Sequence, residues 1–514
     1  MDDDRTAPIA PLEVAALPDG WDDAADVVVV GLGAAGLAGA IAAAEGGADV
    51  LALDRSGGGG TSASAGGILY LGGGTGTQVA AGLTDTPEEM LAFLADALGR
   101  PATDERLVAY CAGSVEHHDW LVAHGVPFEP VFWDEPGMEP PGTEGLIFSG
   151  GEDAAPYRLQ HRPVPRGHVP ATPNAAGWFL VERLRAALDA SSARVAVDHR
   201  VERLVVDGDR VVGVTLRADG EVRAVHARNG ILLAAGGWAF NDDLVAQHAP
   251  DLLRVMWRLG TDADDGWSLR SCLGLGAATE GMGTMEVAVP ITPPREVVRG
   301  VVVNGDGERF INEDTYFGHL GQAILAQQDG VAWLLVDEPR YVVNRVGMRA
   351  EHVCETWEEL AAEIGLPPDR LAATMAAYDE AAARGEDPAF GKAPEWLVPL
   401  DEPPFGAIDL RVDRILYAGF PLGGPPPTPL AGCCAPTAPR SPACMQPGGP
   451  RRLALDRYCS GISLGEAPSS AVDPPRPSSA DPELGRAPDQ DRSEGVAAGQ
   501  PRASSVRLVM PSFR

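Results

Sequence analysis

The sequence predicts an α/β fold with a Rossmann-like half, and two adjacent stretches of the chain predict it. In the first, DVVVVGLGAAGLAGAIAAAEGGADVLALDR (26–55), a β-branched run leads through Gly31-x-Gly33-x-x-Gly36 into an alanine-rich helix and a second apolar strand. The second, RSGGGGTSASAGGILYLGGGT (55–75), is far richer in glycine than an ordinary core segment. We expect both to lie at one nucleotide site.

Each glycine of the first motif has its own mechanical role. Gly31 permits a tight turn, Gly33 lets the backbone approach a pyrophosphate, and Gly36 lets the helix pack closely on the strand. The helix N-terminus, with Ala35 in its first turn, offers N–H groups to phosphates, and Asp54 is placed to hold ribose hydroxyls. The alternative is a glycine packing contact without a ligand, but the accompanying strand, helix and acid favour the nucleotide site.

The second stretch predicts FAD rather than NAD as the cofactor. Its glycines and small hydroxyl residues suit a backbone that lies against a flat ring and its diphosphate. The apolar run at 68–71 argues against the alternative of a flexible linker, because ILYL should be buried. The predicted cofactor contacts here are Arg55, Thr61, Ser62, Ala65, Gly66 and Gly67.

A later part of the chain predicts the return to the nucleotide site. Residues 200–216 are expected to form a hairpin that turns at 207–209, and 230–234 a buried strand. That strand leads into Ala235 and Gly236, which we expect to contact the cofactor.

Composition excludes several classes of function. Of 514 residues, 45% are hydrophobic and 22% charged, and the formal net charge of −33 argues against nucleic acid and stable membrane insertion. Scattered cysteines without metal-ligand spacing suit a reducing cytosol, so we expect a cytoplasmic protein with no metal. Residues 27–44 have nearly the length of a membrane span, but their glycines predict a strand, turn and helix. The acidic N-terminus has no leader pattern.

In this order the elements resemble the fumarate reductase and ketosteroid dehydrogenase group of flavoproteins, and most narrowly the 3-ketosteroid Δ4-(5α)-dehydrogenases. The narrower resemblance is carried by SVEHHDWLVAHGVPFEPVFWDEPGMEPP (from Ser114), GLIFSGGEDAAPY (from Gly145), PRGHVP (from Pro165) and RGVVVNGDGERFINEDTY (from Arg299). It extends over 21–424 and reappears at 458–465.

The resemblance implies a glutathione-reductase-type FAD-binding domain interrupted by an α+β catalytic cap, with substrate between the cap and the flavin. We expect a disordered N-terminus at 1–20, the first part of the FAD domain at 21–267, the cap at 268–400, the return of the FAD domain at 401–465 and a disordered tail at 466–514. It further implies that the backbone near Val201 meets the adenine, and that Gly461, Ser463 and Leu464 contact FAD.

The resemblance also implies the chemistry. In the ketosteroid pattern, tyrosines on the cap and on a late loop correspond to Tyr316 and Tyr458, and Ser460 supports the base. A 3-ketone is polarised, a proton leaves the adjacent carbon and hydride passes to flavin N5, which introduces the Δ4 bond in a 5α-saturated steroid. The alternative for these tyrosines is a place in the core. Aromatics at Phe132, Trp133, Phe148 and Tyr157 are candidate pocket walls.

Other functions stay open as alternatives. A Δ1-dehydrogenase shifts the double bond to the 1,2 position, and the electron acceptor is unknown. A fumarate-reductase-like role is disfavoured because NEDTYF has Tyr316 and Phe317 where that pattern has an arginine. An inactive remnant, or a scaffold with a retained nucleotide fold, is the non-enzymatic alternative.

The sequence departs from the family after Gly424. The stretch 425–452 is a mixture of proline, cysteine and arginine, in which we expect no strand. Read from the third base of each codon, AGCCAPTAPRSPACMQPG permits GRVLRADGAPIPGLYAAG, and EAPSSAVD permits GSFFGR, both close to the family's sequence. We interpret the two stretches as frameshifted relative to the ancestral gene.

Overall fold

A computed structural model describes residues 9–135, 140–208, 210–289, 297–342 and 348–425, together with a short strand at 444–445. Its strands, in chain order, are β1 (Asp23–Val30), β2 (Val50–Leu53), β3 (Leu69–Tyr70), β4 (Glu129–Trp133), β5 (Glu144–Ile147), β6 (Gly167–His168), β7 (Arg194–Ala196), β8 (Arg200–Asp207), β9 (Arg210–Ala218), β10 (Glu221–Leu233), β11 (Trp257–Arg258), β12 (Met285–Ala288), β13 (Val301–Asn304), β14 (Ala332–Asp337), β15 (His352–Cys354), β16 (Phe405–Asp409), β17 (Ala418–Pro421) and β18 (Cys444–Met445).

The α-helices connect and cover these strands. They are α1 (Ala34–Glu45), α2 (Gly60–Ser64), α3 (Gly76–Ala80), α4 (Pro87–Ala97), α5 (Glu105–Ala112), α6 (Ser114–Ala123), α7 (Gly177–Asp189), α8 (Asp242–His248), α9 (Trp267–Gly274), α10 (Phe317–Leu325), α11 (Trp357–Ile364) and α12 (Pro368–Ala382). None of the helices described is long and apolar enough to cross a membrane.

The largest sheet has the strand order β7-β2-β1-β10-β9-β8. β1 pairs in parallel with β2 on one side and with the C-terminal half of β10 on the other, while the N-terminal half of β10 pairs with β9 in an antiparallel hairpin. The apolar segment 27–44 is therefore the end of β1, a tight turn and most of α1, as predicted. The expected β8–β9 hairpin is also present.

Helices α1 and α7 cover one face of this sheet through a buried aliphatic core. The opposite face packs on residues from α9, including Cys272. Because β1 is buried on both faces, all of Val27–Val30 are apolar rather than alternating. Because both faces of the sheet are covered, the parallel strands β1 and β2 end side by side at one edge of the sheet. The turn into α1 begins at this edge.

A second sheet, with the order β13-β14-β16-β15, lies in the segment predicted to be the cap. Helices α11 and α12 pack on one of its faces, and the other face belongs to a separate core with α8 and α10. β16 lies just beyond residue 400, the predicted end of the cap, and pairs with both β14 and β15. Burial explains its place, because Phe405 and Ala407 enter one core and Ile408 the other.

Two smaller sheets complete the part of the chain that the structure describes. One has the order β3-β6-β5-β4, and the other, β11-β17-β12, joins distant segments next to the cap. The expectation that no strand forms at 425–452 is wrong at one point, since β18 pairs in parallel with Ile231 and Leu232 of β10. The reason is that one edge of the C-terminal half of β10 is otherwise unpaired. Any short extended backbone can supply hydrogen-bond partners for the N–H and C=O groups along this edge.

Candidate functional site

A cavity of about 990 Å³ opens at the carboxyl ends of β1, β2 and β10. It is lined by the glycine motif and the glycine-dense stretch, and also by residues of β12, β17 and the start of α10. In α/β sheets, ligands bind beyond the carboxyl ends of the strands. The cavity therefore lies where the sequence predicts the nucleotide site.

The turn from β1 into α1 has no room for side chains at two of its glycines. Gly31 has φ +96°, and a Cβ there would lie 2.5 Å from the carbonyl oxygen of Ala234. At Gly36 a Cβ would lie 1.8 Å from the carbonyl oxygen of Gly31. Gly31 lines the cavity, whereas Gly36 lies behind the turn, so its role is the close packing that the motif predicts.

The N-terminus of α1 points its backbone N–H groups toward the cavity. Gly33 caps the helix without a side-chain hydrogen bond, and the first turn contains no acidic residue. The N–H of Ala34 donates to Ser62 Oγ at 3.0 Å, which joins the turn to the glycine-dense stretch. This uncapped, positive helix end is suited to an anionic diphosphate.

Asp54 lies at the end of β2 and is held by the backbone around it. Its Oδ2 accepts the N–H of Leu32 at 2.8 Å, and its Oδ1 accepts the N–H and the hydroxyl of Ser56 at 2.8 and 3.0 Å. A carboxylate can accept about four hydrogen bonds, so acceptor capacity remains for ribose hydroxyls.

Asp264 is a site residue that the sequence analysis missed. It is almost completely buried and lines the cavity. Its Oδ1 accepts the N–H of Gly237 at 2.7 Å, and its Oδ2 accepts the N–H of Thr261 at 2.9 Å and the hydroxyl of Thr61. One carboxylate thus ties together the glycine-dense stretch, the turn after β10 and its own loop. The sequence feature that could have pointed to Asp264 is the acidic turn TDADDG at 261–266.

A neighbouring acid, Asp265, closes the nucleotide end of the cavity. It forms an ion pair of 2.7 Å with Arg55, whose other guanidinium nitrogen donates to the carbonyl of Asp262 at 2.7 Å. The basic residues among the described cavity lining are Arg55, His199 and Arg200. All three lie next to Asp54 or Asp265, at the nucleotide end.

Most of the predicted cofactor residues line this one cavity. They are Gly31, Gly33, Ala35, Asp54, Arg55, Thr61, Ser62, Ala65, Gly66, Gly67, Val201, Ala235 and Gly236. Tyr316 lines the same cavity. The remaining predicted residues, Tyr458, Ser460, Gly461, Ser463 and Leu464, lie outside the described residues.

Tyr316 is buried at the start of α10 and contacts an acid that the sequence analysis did not select. Its hydroxyl oxygen lies at hydrogen-bond distance from Glu286 Oε1, at 2.9 Å, and Gln322 Nε2 donates to Glu286 Oε2 at 3.2 Å. Burial raises the pKa of Glu286 to about 8, against the lowering effect of the Tyr316 hydrogen bond. Glu286 is therefore mainly neutral at pH 7. The sequence feature that could have pointed to Glu286 is its position inside the otherwise apolar run MEVAV.

The predicted aromatic walls lie elsewhere. Phe132 and Phe148 contact each other, Trp133 packs on a small core, and Tyr157 packs against Phe93. None of the four lines this cavity among the described residues. Its aromatic lining is instead Trp238, Trp257, Trp267, Tyr316, Phe317 and Phe420.

The family follows from a comparison with known proteins. Residues 26–419 match the model of the FAD binding domain family. The chain belongs to this family. It is thus an FAD-binding oxidoreductase, and the predicted cofactor and fold class are confirmed.

Three relatives place the chain within the family. The 3-ketosteroid-Δ4-(5α)-dehydrogenase from Rhodococcus jostii RHA1, solved in complex with 4-androstene-3,17-dione, is 40% identical with a TM-score of 0.83, covering 90% of this chain and 98% of that chain. The 3-oxo-5-alpha-steroid 4-dehydrogenase of Comamonas testosteroni is 30% identical over 62% of this chain and 68% of the relative. A probable fumarate reductase of Shewanella frigidimarina (strain NCIMB 400) is 28% identical over 76% of this chain and 66% of the relative. The resemblance stated from the motifs is confirmed.

The described residues fit FAD. The helix end at Gly33 suits the diphosphate and Asp54 suits the ribose, while the glycine-dense stretch lines the cavity mainly with glycines and small side chains, against which a flat ring can lie. At Gly236 even a methyl group would come within 2.4 Å of Asp264 Oδ1. The cavity wall is thus built from backbone at the points where a large cofactor needs space.

Proposed function

We propose that this family member dehydrogenates a 3-ketosteroid and introduces the Δ4 double bond into a 5α-saturated substrate. The observation that carries the proposal is Tyr316, a buried tyrosine that lines the same cavity as the glycine motif, together with Phe317 and Phe420. A phenol there can donate a hydrogen bond to a ketone oxygen without attracting an anion.

The distribution of charge supports a ketone rather than a dicarboxylate. The basic side chains among the described lining all belong to the nucleotide end, whereas Phe317, Phe420 and Tyr316 line the cap side. A dicarboxylate needs cations to compensate its desolvation, and a steroid needs apolar walls. The described lining therefore disfavours a fumarate-reductase-like role.

In the proposed reaction, Tyr316 polarises the 3-ketone by donating a hydrogen bond to its oxygen. Polarisation acidifies the adjacent carbon and stabilises the enolate that forms when its proton leaves. Tyr458, supported by Ser460, is proposed as the base. FAD, when bound, supplies the acceptor for the departing hydride. The apolar lining excludes water while the enolate is present.

The relatives support the choice of substrate and bond. Both the Rhodococcus and the Comamonas proteins are named as dehydrogenases that form the 4-ene of a 3-ketosteroid, and the first was solved with 4-androstene-3,17-dione. Identities of 40% and 30% make the same regiochemistry the best proposal for this chain.

Product analysis tests the proposal. The purified protein is incubated with a 5α-saturated 3-ketosteroid and an artificial electron acceptor, and the steroids are separated and characterised by NMR. We expect a 4-ene-3-one as the first product. A 1-ene-3-one would favour the Δ1 alternative, and consumption of fumarate with a reduced dye but not of steroid would overturn the steroid assignment. A matched 5β-saturated steroid controls for recognition of the ring junction.

A further inference from the structure

Glu286 is a fully buried acid without a cation beside it in the part of the chain that the structure describes. Its hydrogen-bond partners there are the Tyr316 hydroxyl and the Gln322 amide. Burying a carboxyl group in this way is costly unless it becomes neutral. A carboxyl placed so close to a candidate catalytic phenol, on the cavity wall, therefore calls for a functional reason.

The local packing brings Glu286 and Tyr316 together closely. Helix α10 approaches β12 at two glycines, where a Cβ at Gly318 would lie 1.9 Å from Glu286 Oε1 and a Cβ at Gly321 would lie 2.1 Å from the carbonyl oxygen of Val287. A Cβ at Gly318 would also come within 2.4 Å of the Tyr316 ring. Only a helix without side chains at these positions can hold the phenol against the acid.

We propose, building on the steroid function above, that Glu286 is a positioning residue that sets the direction of the Tyr316 hydrogen bond. In its neutral form the carboxyl O–H donates to the Tyr316 oxygen, and the phenolic O–H donates to the substrate ketone. In its ionised form the carboxylate can only accept, so it takes the phenolic O–H and withdraws it from the ketone. No covalent bond forms or breaks between the two side chains.

Of the two hydrogen-bonded groups, Glu286 and Tyr316, the surrounding residues make Glu286 the one that we expect to titrate. Within the described residues, desolvation and the Tyr316 hydrogen bond are what move its pKa. The ring of His319 lies 5.3 Å from that of Tyr316, and β17 pairs with Glu286 through the backbone of Phe420. Glu152 and Asp153 follow Gly151, where an added Cβ would lie 3.3 Å from Cβ of Tyr316, and burial raises the pKa of both acids.

The test is the pH dependence of kcat/KM for a 5α-saturated 3-ketosteroid in wild type and in Glu286→Gln. We expect wild-type kcat/KM to fall tenfold per pH unit above about pH 8, where Glu286 ionises. Glutamine keeps the shape and its amide can donate to the Tyr316 oxygen at every pH, so this alkaline limb should disappear. Glu280→Gln, the same change six residues away, should keep the wild-type profile.

Two results would overturn the proposal. One is an alkaline limb in Glu286→Gln identical to that of wild type. The other is a loss of turnover in Glu286→Gln at pH 7 as large as that of Tyr316→Phe, which would make the carboxyl a proton acceptor.

A measurement of stability against pH tests the Glu286 proposal independently of the proposed steroid function, because this measurement needs no turnover. Because the folded-state pKa is raised, wild type binds a proton between about pH 4.5 and 8 that the unfolded chain does not, so its stability falls as pH rises through this window. Glu286→Gln should lack this loss. A wild type that shows the loss but makes no steroid product would contradict the function alone, and identical pH profiles of unfolding would contradict the assignment to Glu286.

Discussion

Two buried acids in the cavity wall differ because their neighbours differ. Asp264 accepts hydrogen bonds from the backbone N–H groups of Gly237 and Thr261 and from the Thr61 hydroxyl, so it joins three segments of the cofactor side. The hydrogen-bond partners described for Glu286 are one hydroxyl and one amide, and burial raises its pKa to about 8. At the scale of the residue, the Asp264 carboxylate holds the cofactor site together, whereas the Glu286 carboxyl sets the direction of the Tyr316 hydrogen bond.

Replacing Tyr316 by phenylalanine removes the proposed donor to the ketone and keeps the ring. We expect kcat to fall by about 10²–10⁴ fold, the usual contribution of a positioned proton donor or acceptor. The FAD content per chain should be unchanged, because the hydrogen bonds of Ser62, Asp54 and Asp264 around the glycine motif do not involve Tyr316. Steady-state kinetics and absorbance measure the two quantities. Tyr341→Phe, at a partly exposed tyrosine, is the control, and full activity in Tyr316→Phe would exclude the assigned role.

At the scale of the element, local signals were predictable and long-range contacts were not. The turn from β1 into α1 could be derived from spacing alone, because Gly31, Gly33 and Gly36 act within one supersecondary unit. The contact between Glu286 and Tyr316 spans 30 residues and depends on how α10 meets β12, which no local pattern encodes. The pairing of β16 with β14 and β15 is likewise a contact between distant segments that no local pattern encodes.

Gly36→Ala tests whether close packing of α1 holds the cofactor turn. The added methyl group would lie 1.8 Å from the carbonyl oxygen of Gly31, so α1 or the turn must move. We expect a loss of about 1–3 kcal/mol in the free energy of unfolding, as for overpacked cores, and a lower FAD content. Thermal unfolding and flavin absorbance measure both. Gly20→Ala, where a Cβ meets nothing within 4 Å, is the matched control, and equal behaviour of the two variants would refute the packing argument.

At the scale of the whole molecule, the family match ends close to the place where the unusual sequence begins. The match to the FAD binding domain family ends at residue 419, and the departure from the family begins after Gly424. The frameshift interpretation, the domain boundaries and the roles of Tyr458 and Ser460 stay predictions. The described residues nevertheless bring the nucleotide motif, Asp264 and Tyr316 to a single cavity.

The central claim is that this chain binds FAD and passes electrons to it from a 3-ketosteroid. The most direct measurement is the absorbance spectrum of the purified protein under anaerobic conditions, before and after addition of a 5α-saturated 3-ketosteroid. We expect an oxidised flavin spectrum that bleaches on addition of the steroid, and no bleaching in Tyr316→Phe over the same time. A flavin spectrum that stays unchanged in wild type would contradict the steroid function, and purified protein without flavin, even after incubation with FAD, would contradict the cofactor site and favour an inactive remnant.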